Sequence, residues 1–200
     1  MRSGTPREYT ARRAAAWRAL VLGGSRSGKS AFAERLLADD PEVLYAATAP
    51  RYEGDTEWAE RIELHRATRP PTWQTVEVGD APDQLARLLL TAERTVLVDS
   101  LTLWLTAAMD ATGAWDDDAW RGGIPQRALS ALVTDLVDAY SSSVCSVVVV
   151  SDEIGLGVVP ESAGTRRFRD ELGRLNQAFA AAADDVTLVV AGIALRLKPQ

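Results

Sequence analysis

The sequence is poor in cysteine, in long apolar runs and in basic charge, and each scarcity excludes a class of protein. One cysteine, Cys145, among 200 residues cannot form an internal disulfide, which excludes a disulfide-stabilised secreted scaffold. No apolar run approaches the roughly 20 residues that a membrane-spanning helix needs. The formal net charge of −6 argues against a general nucleic-acid binder, because such proteins carry a basic face. We therefore expect a cytoplasmic chain with no membrane span and no nucleic-acid partner.

The composition of the chain is that of one folded domain. Apolar residues make up 46% and charged residues 25% of the sequence, which is typical of globular proteins, and 200 residues suit a single core. The first residues are rich in arginine and alanine, which is compatible with a transit peptide or with a disordered tail. We favour the tail, because termini without packing partners are usually loose. The sequence predicts a tail over residues 1–18 and one catalytic domain over residues 19–200.

Short β-rich runs alternate with helical patterns along this domain, as in a mostly parallel sheet covered by helices. The runs are rich in Val and Leu with little alternation, which is typical of strands buried on both faces. Glycines, a proline and an Asp triplet predict a loop or lid over residues 110–125. The predicted strands cover residues 19–22, 43–48, 75–78, 95–99, 147–151 and 186–191, with a closing edge strand in LRLKPQ, and the predicted helices cover residues 30–38, 55–66, 83–91, 126–140 and 165–183.

A phosphate-binding loop is the most specific local motif. GGSRSGKS, which begins at Gly23, fits the pattern G-x-x-x-x-G-K-[ST]. Glycines in such a loop let successive backbone N–H groups face phosphate oxygens, and the next helix adds positive potential at its N-terminus. Lys29 would neutralise the outer phosphates, and the Ser30 hydroxyl would bind Mg²⁺. Because the motif follows an apolar strand and opens a periodic helix, it predicts a nucleotide site.

Two residues outside the loop are candidates for the same chemistry. Asp99 ends the buried run TVLVD, where P-loop proteins often place a carboxylate that holds Mg²⁺ through water, although it is also a suitable cap for the next turn. His65 is the one histidine of the chain, and Arg66 and Arg69 follow it with guanidinium groups suited to phosphates. A neutral imidazole beside cations can attack phosphorus. A structural histidine remains the alternative at this point.

Several stretches, taken in order, resemble one family. LVLGGSRSGKSAFAERL, VLYAATA, RIELHRATRPPTW, VLVDSLTLWL and the long run from SDEIGLGVVPE to AGIALRLK resemble the bifunctional adenosylcobinamide kinase/adenosylcobinamide-phosphate guanylyltransferase, over about residues 19–198. The resemblance implies an α/β, RecA-like P-loop fold with a mostly parallel sheet flanked by helices, assembled as a homotrimer. It also implies phosphorylation of adenosylcobinamide with ATP or GTP, and transfer of GMP from GTP to adenosylcobinamide-phosphate, which gives adenosylcobinamide-GDP.

The resemblance also assigns roles to residues. The family carries GMP on a histidine, and the matching residue here is His65, which we expect to be catalytic together with Lys29. Ser30 and Asp99 are the expected metal ligands. The nucleotide contacts that the resemblance implies are Gly24, Ser25, Arg26, Ser27, Gly28, Lys29, Ser30, Ala31, Ala49, Pro50, Arg51, Arg66, Ala67, Thr68, Arg69, Glu77 and Asp99.

The chain departs from the family pattern at four positions. Ser100, Ala107, Asp152 and Ser162 stand where relatives commonly carry Cys, Asn, Asn and Asn. These positions bear on corrinoid binding and on the kinase step. The segment EIGLGVVPE, after a predicted strand, is interpreted as a substrate-side loop or as a glycine-rich connector with two solvated acids. The alternatives for the whole chain are another P-loop small-molecule kinase with a structural histidine, and a RecA-like nucleotide switch module.

Overall fold

The computed structural model describes residues 16–49, 69–79 and 81–198. Within these ranges, strands and helices alternate as the sequence predicts. The elements are β1 (Arg18–Gly23), α1 (Lys29–Leu36), β2 (Leu44–Ala47), β3 (Gln74–Glu77), α2 (Pro82–Thr91), β4 (Val96–Asp99), α3 (Leu101–Thr112), α4 (Asp117–Arg121), α5 (Ile124–Ser142), β5 (Val147–Asp152), α6 (Ala163–Ala182), β6 (Asp185–Val190) and β7 (Ile193–Lys198).

The strands form one sheet in the order β3-β2-β4-β5-β1-β6-β7. The first six strands are parallel, and β7 runs antiparallel to β6 at the edge. The predicted α/β class, the mostly parallel sheet and the closing edge strand are therefore confirmed. Because parallel strands end at the same edge, the residues that follow β1, β2, β4 and β5 meet there. We call this edge the carboxyl edge.

The two faces of the sheet are covered unequally. The larger core cluster lies under α2, α3, α5 and α6, with Trp104, Tyr140 and Phe179 among its fully buried side chains. The smaller cluster joins Phe32 and Leu36 of α1 to the opposite face. Val147 to Val150 are fully buried at the centre of the sheet, which explains why β5 reads as an unbroken run of valines. The first helix after the glycine loop thus packs on a face of its own.

The prediction of a loop or lid over residues 110–125 is wrong. Helix α3, which was not predicted, continues to Thr112, and α4 and α5 follow after short turns. Asp116 accepts hydrogen bonds from the backbone N–H groups of Asp118 and Ala119 at 2.9 and 2.8 Å, so the Asp triplet begins a helix. Gly113 and Gly123 have φ values of 70° and 77° and lie at helix ends. The signals that indicated a loop are helix caps.

The packed domain begins slightly earlier than predicted. Trp17 is buried, and Arg18 opens β1 and donates through Nε to the Tyr140 carbonyl at 2.9 Å. These two residues belong to the packed structure rather than to the predicted tail. The helix predicted over residues 55–66 lies outside the described residues. In the part of the chain that the structure describes, no helix has the length and apolarity to cross a membrane.

Candidate nucleotide site at the carboxyl edge

The glycine-rich loop joins β1 to α1, where the motif predicts it. Gly28, at the N-cap of α1, has a φ of 92°, which a residue with a side chain rarely adopts. Ser27 donates its backbone N–H to the Gly24 carbonyl at 3.2 Å and closes a turn. Gly192, between β6 and β7, donates to the Ser27 carbonyl at 2.8 Å. The turn between β6 and β7 therefore supports the loop through this hydrogen bond, while Gly24 and Arg26 are exposed to solvent.

The first glycine of the motif is required by packing. A Cβ at Gly23 would clash with Ser27 Oγ and would lie 2.7 Å from the Val189 carbonyl oxygen. Ser27 Oγ is itself buried and has no hydrogen-bond partner among the described residues. At Gly24, by contrast, a Cβ would meet nothing within 4 Å. The loop approaches β1 and β6 so closely that only glycine fits at position 23.

Lys29 is held across the loop by a carboxylate on a neighbouring strand. Its Nζ lies 2.6 Å from Asp152 Oδ1 and donates to the Gly24 carbonyl at 3.3 Å. The two side chains are only 13% and 19% exposed. Asp152 ends β5, where its backbone N–H donates to Thr102 Oγ1 and its carbonyl accepts from Asn176 Nδ2, both at 3.0 Å. Residues of α3 and α6 thus fix the position of Asp152, and Asp152 in turn fixes the Lys29 ammonium group.

Asp99 ends β4 and is held by a tyrosine. Tyr45 donates its hydroxyl to Asp99 Oδ2 at 2.9 Å. Burial raises the pKa of Tyr45 well above its ordinary value, and the negative charge of Asp99 raises it further. The phenol therefore stays protonated and keeps donating at neutral pH. Sequence reasoning placed Asp99 in the site but missed Tyr45.

Arg69 reaches the same group from another part of the chain. Its guanidinium carbon lies 3.2 Å from the centre of the Tyr45 ring, in a stacked cation–π contact. Its Nε lies 3.5 Å from Glu34 Oε1, on α1, in an ion pair longer than an ordinary hydrogen bond. The Arg69 side chain is 9% exposed. Of the arginines expected to contact the nucleotide, this one is placed at the carboxyl edge and is already engaged by protein groups.

The chain after Asp99 is locked to the chain after β2. Thr48 Oγ1 donates to the Ser100 carbonyl at 2.7 Å and accepts from the Ser100 backbone N–H at 2.6 Å. The peptide bond between Asp99 and Ser100 is cis. Ser100 Oγ also accepts from the Leu103 N–H at 3.5 Å, at the N-cap of α3. Ser100 thus serves as the helix cap of α3.

The remaining predicted contacts divide into three groups. Ala49 lies two residues after the end of β2, on the side of the carboxyl edge. Glu77 is exposed at the end of β3, in register with Ala47, which is in register with Asp99. Two strand spacings, roughly 10 Å, therefore separate the backbones of Glu77 and Asp99. Six expected site residues lie outside the described ranges: Pro50, Arg51, His65, Arg66, Ala67 and Thr68.

The oxygen ligands at this edge fit a nucleotide-borne Mg²⁺. The described residues contain no group of three or more His, Cys, Asp or Glu that could hold a metal ion by themselves. Mg²⁺ usually takes one or two protein oxygens, and phosphates and water complete its coordination. The Ser30 hydroxyl and the Asp99 carboxylate are oxygen donors of the kind that Mg²⁺ prefers. The donor set suits a metal that arrives with its nucleotide.

Comparison with known proteins decides the family. The family model for cobinamide kinase / cobinamide phosphate guanyltransferase matches residues 19–197. The chain belongs to this family. It is 42% identical over 180 residues to the bifunctional adenosylcobalamin biosynthesis protein CobU of Escherichia coli K12, covering 90% of this chain and 98% of that protein. It is 43% identical over 182 residues to the bifunctional protein CobP of Pseudomonas aeruginosa PAO1, covering 90% and 97%.

Solved structures resemble this cobinamide kinase/guanyltransferase chain in fold alone. An ATPase of a type III secretion system superposes with a TM-score of 0.53 at 14% identity, covering 87% of this chain and 51% of that one. The ATPase EscN of enteropathogenic E. coli superposes with a TM-score of 0.52 at 14% identity, covering 88% and 43%. The chain thus spans about half the length of these ATPases or less. The RecA-like P-loop fold that the family resemblance implies is confirmed.

Proposed function

We propose that this chain phosphorylates adenosylcobinamide with ATP or GTP, and then transfers GMP from GTP to adenosylcobinamide-phosphate through a guanylylated His65. The family match over residues 19–197 supports the two transfers as a class. The observation that carries the proposal in the structure is the carboxyl edge itself. There a glycine loop, the Lys29 ammonium and the Asp99 carboxylate lie on adjoining elements.

Both transfers begin with a bound nucleoside triphosphate. The loop amides and Lys29 would hold the outer phosphates, because they concentrate positive charge at the start of α1. Ser30 and Asp99 would hold Mg²⁺, which neutralises phosphate charge when bound. Lys29 must exchange part of its contact with Asp152 for phosphate oxygens. One cationic side chain therefore serves both reactions.

In the guanylyl step, we assign the nucleophile to His65. Its neutral imidazole attacks the α-phosphorus of GTP, so that an N–P bond forms while the P–O bond to pyrophosphate breaks. A phosphate oxygen of adenosylcobinamide-phosphate then attacks the same phosphorus, and the N–P bond breaks to restore the imidazole. Arg69 supports this assignment, because it follows His65 by four residues and its side chain lies at the carboxyl edge.

In the kinase step, the hydroxyl of the aminopropanol arm of adenosylcobinamide attacks the γ-phosphorus and gives up its proton to water. The bond from the γ-phosphorus to the bridging oxygen breaks, and the nucleoside diphosphate leaves. Phosphoryl transfer passes through a loose transition state, in which positioning and charge stabilisation matter more than a strong base. Lys29 and the loop amides supply that stabilisation here. The proposal therefore needs no dedicated base for this step.

The loop after Asp152 is a candidate docking site for the acceptor. Leu156 and Val158 are 87% and 94% exposed. Arg169 donates through Nη2 to the Gly155 carbonyl at 2.7 Å and holds the backbone of the loop. Apolar side chains are thus presented beside the nucleotide site, where a large organic acceptor must approach. This is the substrate-side role that the sequence suggested for EIGLGVVPE.

The proposal also includes further nucleotide contacts, an oligomeric state and a cellular location. Glu77 would accept hydrogen bonds from guanine or ribose donors. A homotrimer, on the strength of the family resemblance, and a cytoplasmic location, expected from the composition of the chain, complete it. The other nucleotide contacts that we propose are Ala49, Pro50, Arg51, Arg66, Ala67 and Thr68.

Labelling with α-³²P GTP in the presence of Mg²⁺ tests the covalent step. We expect the wild-type protein to take up label that is acid-labile and alkali-stable, as a phosphoramidate is. The His65→Ala variant should lose both the label and GMP transfer, and should still phosphorylate adenosylcobinamide. GMP transfer at the wild-type rate by that variant would refute the nucleophile. Kinase activity without any label in the wild type would favour a P-loop kinase with a structural histidine.

A further inference from the structure

Tyr45 is contacted on two sides by residues from distant parts of the chain. It lies on β2 and is only 4% exposed. Its hydroxyl donates to Asp99 Oδ2 at 2.9 Å, while its ring face receives the Arg69 guanidinium at 3.2 Å. The side chain lies between the proposed metal-binding carboxylate and the end of the HRATR stretch.

We propose that Tyr45 is a positioning residue with two separable duties: its hydroxyl orients the Asp99 carboxylate, and its ring seats Arg69. This inference rests on the proposed function, because the second duty matters through His65. The duties belong to different atoms of one side chain. They can therefore be removed one at a time.

The hydroxyl acts on the carboxylate. An ionised carboxylate only accepts hydrogen bonds, and a donor to one of its oxygens restricts its rotation. Asp99 also ends its strand, so its backbone is held by β2 on one side and β5 on the other. With both constraints, the carboxylate keeps one orientation toward the nucleotide edge. Loss of the hydroxyl should therefore weaken the contribution of the metal to nucleotide binding.

The ring acts on Arg69. A guanidinium that is mostly removed from water needs partners, and its planar face stacks well on an aromatic ring. Glu34 supplies the opposite charge from α1, which begins at the glycine loop. In the turn that begins directly after Arg69, Trp73 donates its backbone N–H to the Pro70 carbonyl at 3.0 Å and is itself buried. Arg69 is thus secured to the edge that we propose to hold the nucleotide.

Two substitutions at position 45 separate the duties. Tyr45→Phe keeps the ring and removes the hydroxyl, whereas Tyr45→Leu removes both. Tyr140 offers matched controls, because it is fully buried on α5 against Phe179 and its hydroxyl has no hydrogen-bond partner among the described residues. The measurements are the affinity for GTP with Mg²⁺ and with EDTA, the rate of histidine labelling by α-³²P GTP, and the melting temperature.

We expect Tyr45→Phe to reduce the Mg²⁺-dependent gain in GTP affinity by about tenfold, the size expected for a hydrogen bond to a charged group. Tyr45→Leu should show the same reduction, with labelling at least about fivefold slower than in Tyr45→Phe, because the seat of Arg69 is lost as well. Tyr140→Phe and Tyr140→Leu should leave both readouts at the wild-type level. If Tyr45→Leu does not fold, Arg69→Lys, which keeps the charge and loses the planar face, should slow labelling instead.

Three outcomes would overturn the inference. A full Mg²⁺ response in Tyr45→Phe removes the first duty, and equal labelling rates in the Phe and Leu variants remove the second. Equal losses in the Tyr140 variants would show that the effects come from damage to the core. If the wild-type protein takes up no label at all, the proposed covalent step fails instead, and the GTP affinities still test the contact with Asp99.

Discussion

The neighbouring strands β4 and β5 each end in an aspartate, and the two carboxylates have partners of different charge. Asp152, on β5, faces the Lys29 ammonium at 2.6 Å. Asp99, on β4, faces the neutral hydroxyl of Tyr45 at 2.9 Å. The first carboxylate forms an ion pair with a cation, whereas the second is held by a neutral hydrogen-bond donor. Proximity in the sheet therefore does not make the two residues equivalent.

The different partners suggest different roles for Asp152 and Asp99 in nucleotide binding at the carboxyl edge. In the proposed site, the carboxylate of Asp152 would compete with phosphate oxygens for Lys29, so it would lower nucleotide affinity while it holds the lysine in place. The carboxylate of Asp99 would repel phosphates directly and would attract a divalent cation that can bridge to them. With Mg²⁺ present, neutralising Asp99 should therefore weaken nucleotide binding, whereas neutralising Asp152 should strengthen it.

Removal of the Lys29 ammonium group should reduce activity more than any other change described below. Lys29→Ala deletes the charge that the outer phosphates need and leaves the Asp152 carboxylate without its partner. We expect kinase and guanylyl transfer both to fall by about 100-fold or more. Lys198→Ala is the matched control, since among the described residues its Nζ donates to the Ala180 and Ala181 carbonyls. If either activity of Lys29→Ala stays within tenfold of the wild type, the shared role of this lysine is wrong.

Gly23→Ala should destabilise the glycine loop that carries Lys29, because the substitution crowds the packing around position 23. The new methyl group would crowd the Val189 carbonyl and Ser27, and Gly23 also accepts a hydrogen bond from Glu153 N–H at 3.1 Å, directly after Asp152. We expect a loss of about 1–3 kcal/mol in the free energy of unfolding. Calorimetric melting measures it, with Gly24→Ala as the uncrowded control. Equal melting temperatures for the two variants would contradict the close packing.

Asp99→Asn should weaken the Mg²⁺ response. The amide keeps the shape of the side chain but loses the charge that attracts the cation. We expect the Mg²⁺-dependent gain in GTP affinity to fall by about tenfold, while binding in EDTA is equal to or tighter than in the wild type. Titration calorimetry in the two buffers measures both values. An undiminished Mg²⁺ response would exclude Asp99 as the metal-binding carboxylate.

Asp152→Asn should have the smallest effect and, with Mg²⁺ present, the opposite sign to Asp99→Asn. It removes a negative charge near the phosphates and releases Lys29 from its ion pair, so we expect GTP to bind about threefold more tightly both with Mg²⁺ and in EDTA. Asp83→Asn is the control, because its ion pair with Arg87 lies on an exposed helix face. Weaker GTP binding by Asp152→Asn would show that this carboxylate supports the nucleotide rather than competing with it.

The parts of the fold that were predicted correctly are those with a local signal. The glycine loop, β1 and α1 follow each other in one short stretch, and the unbroken valines of β5 indicate a strand buried on both faces. Helix α3 was missed, because LTLWLTAAMDAT is apolar around most of its circumference and lacks a clear polar face. Its burial under α2 and α5 explains that composition, and tertiary packing is not visible in a local pattern.

The contacts of the site depend on strand order, which the sequence does not display. Tyr45 meets Asp99 because β2 lies beside β4, and Lys29 meets Asp152 because β5 lies beside β1. Fifty-four residues separate Tyr45 from Asp99 along the chain. Asp152 did carry a usable signal, since it closes a buried apolar run as Asp99 does. It was noted only as a departure from the family pattern.

The brace beneath the glycine loop has a consequence for the order of assembly. The loop is complete near the start of the domain, yet the amide that supports Ser27 belongs to Gly192, and β6 must already lie against β1 for that amide to arrive. During synthesis from the amino end, the phosphate cradle is made early and remains unsupported until β6 and the turn after it have left the ribosome. We therefore expect the capacity to bind triphosphate to be acquired late in folding, when the two ends of the domain come together.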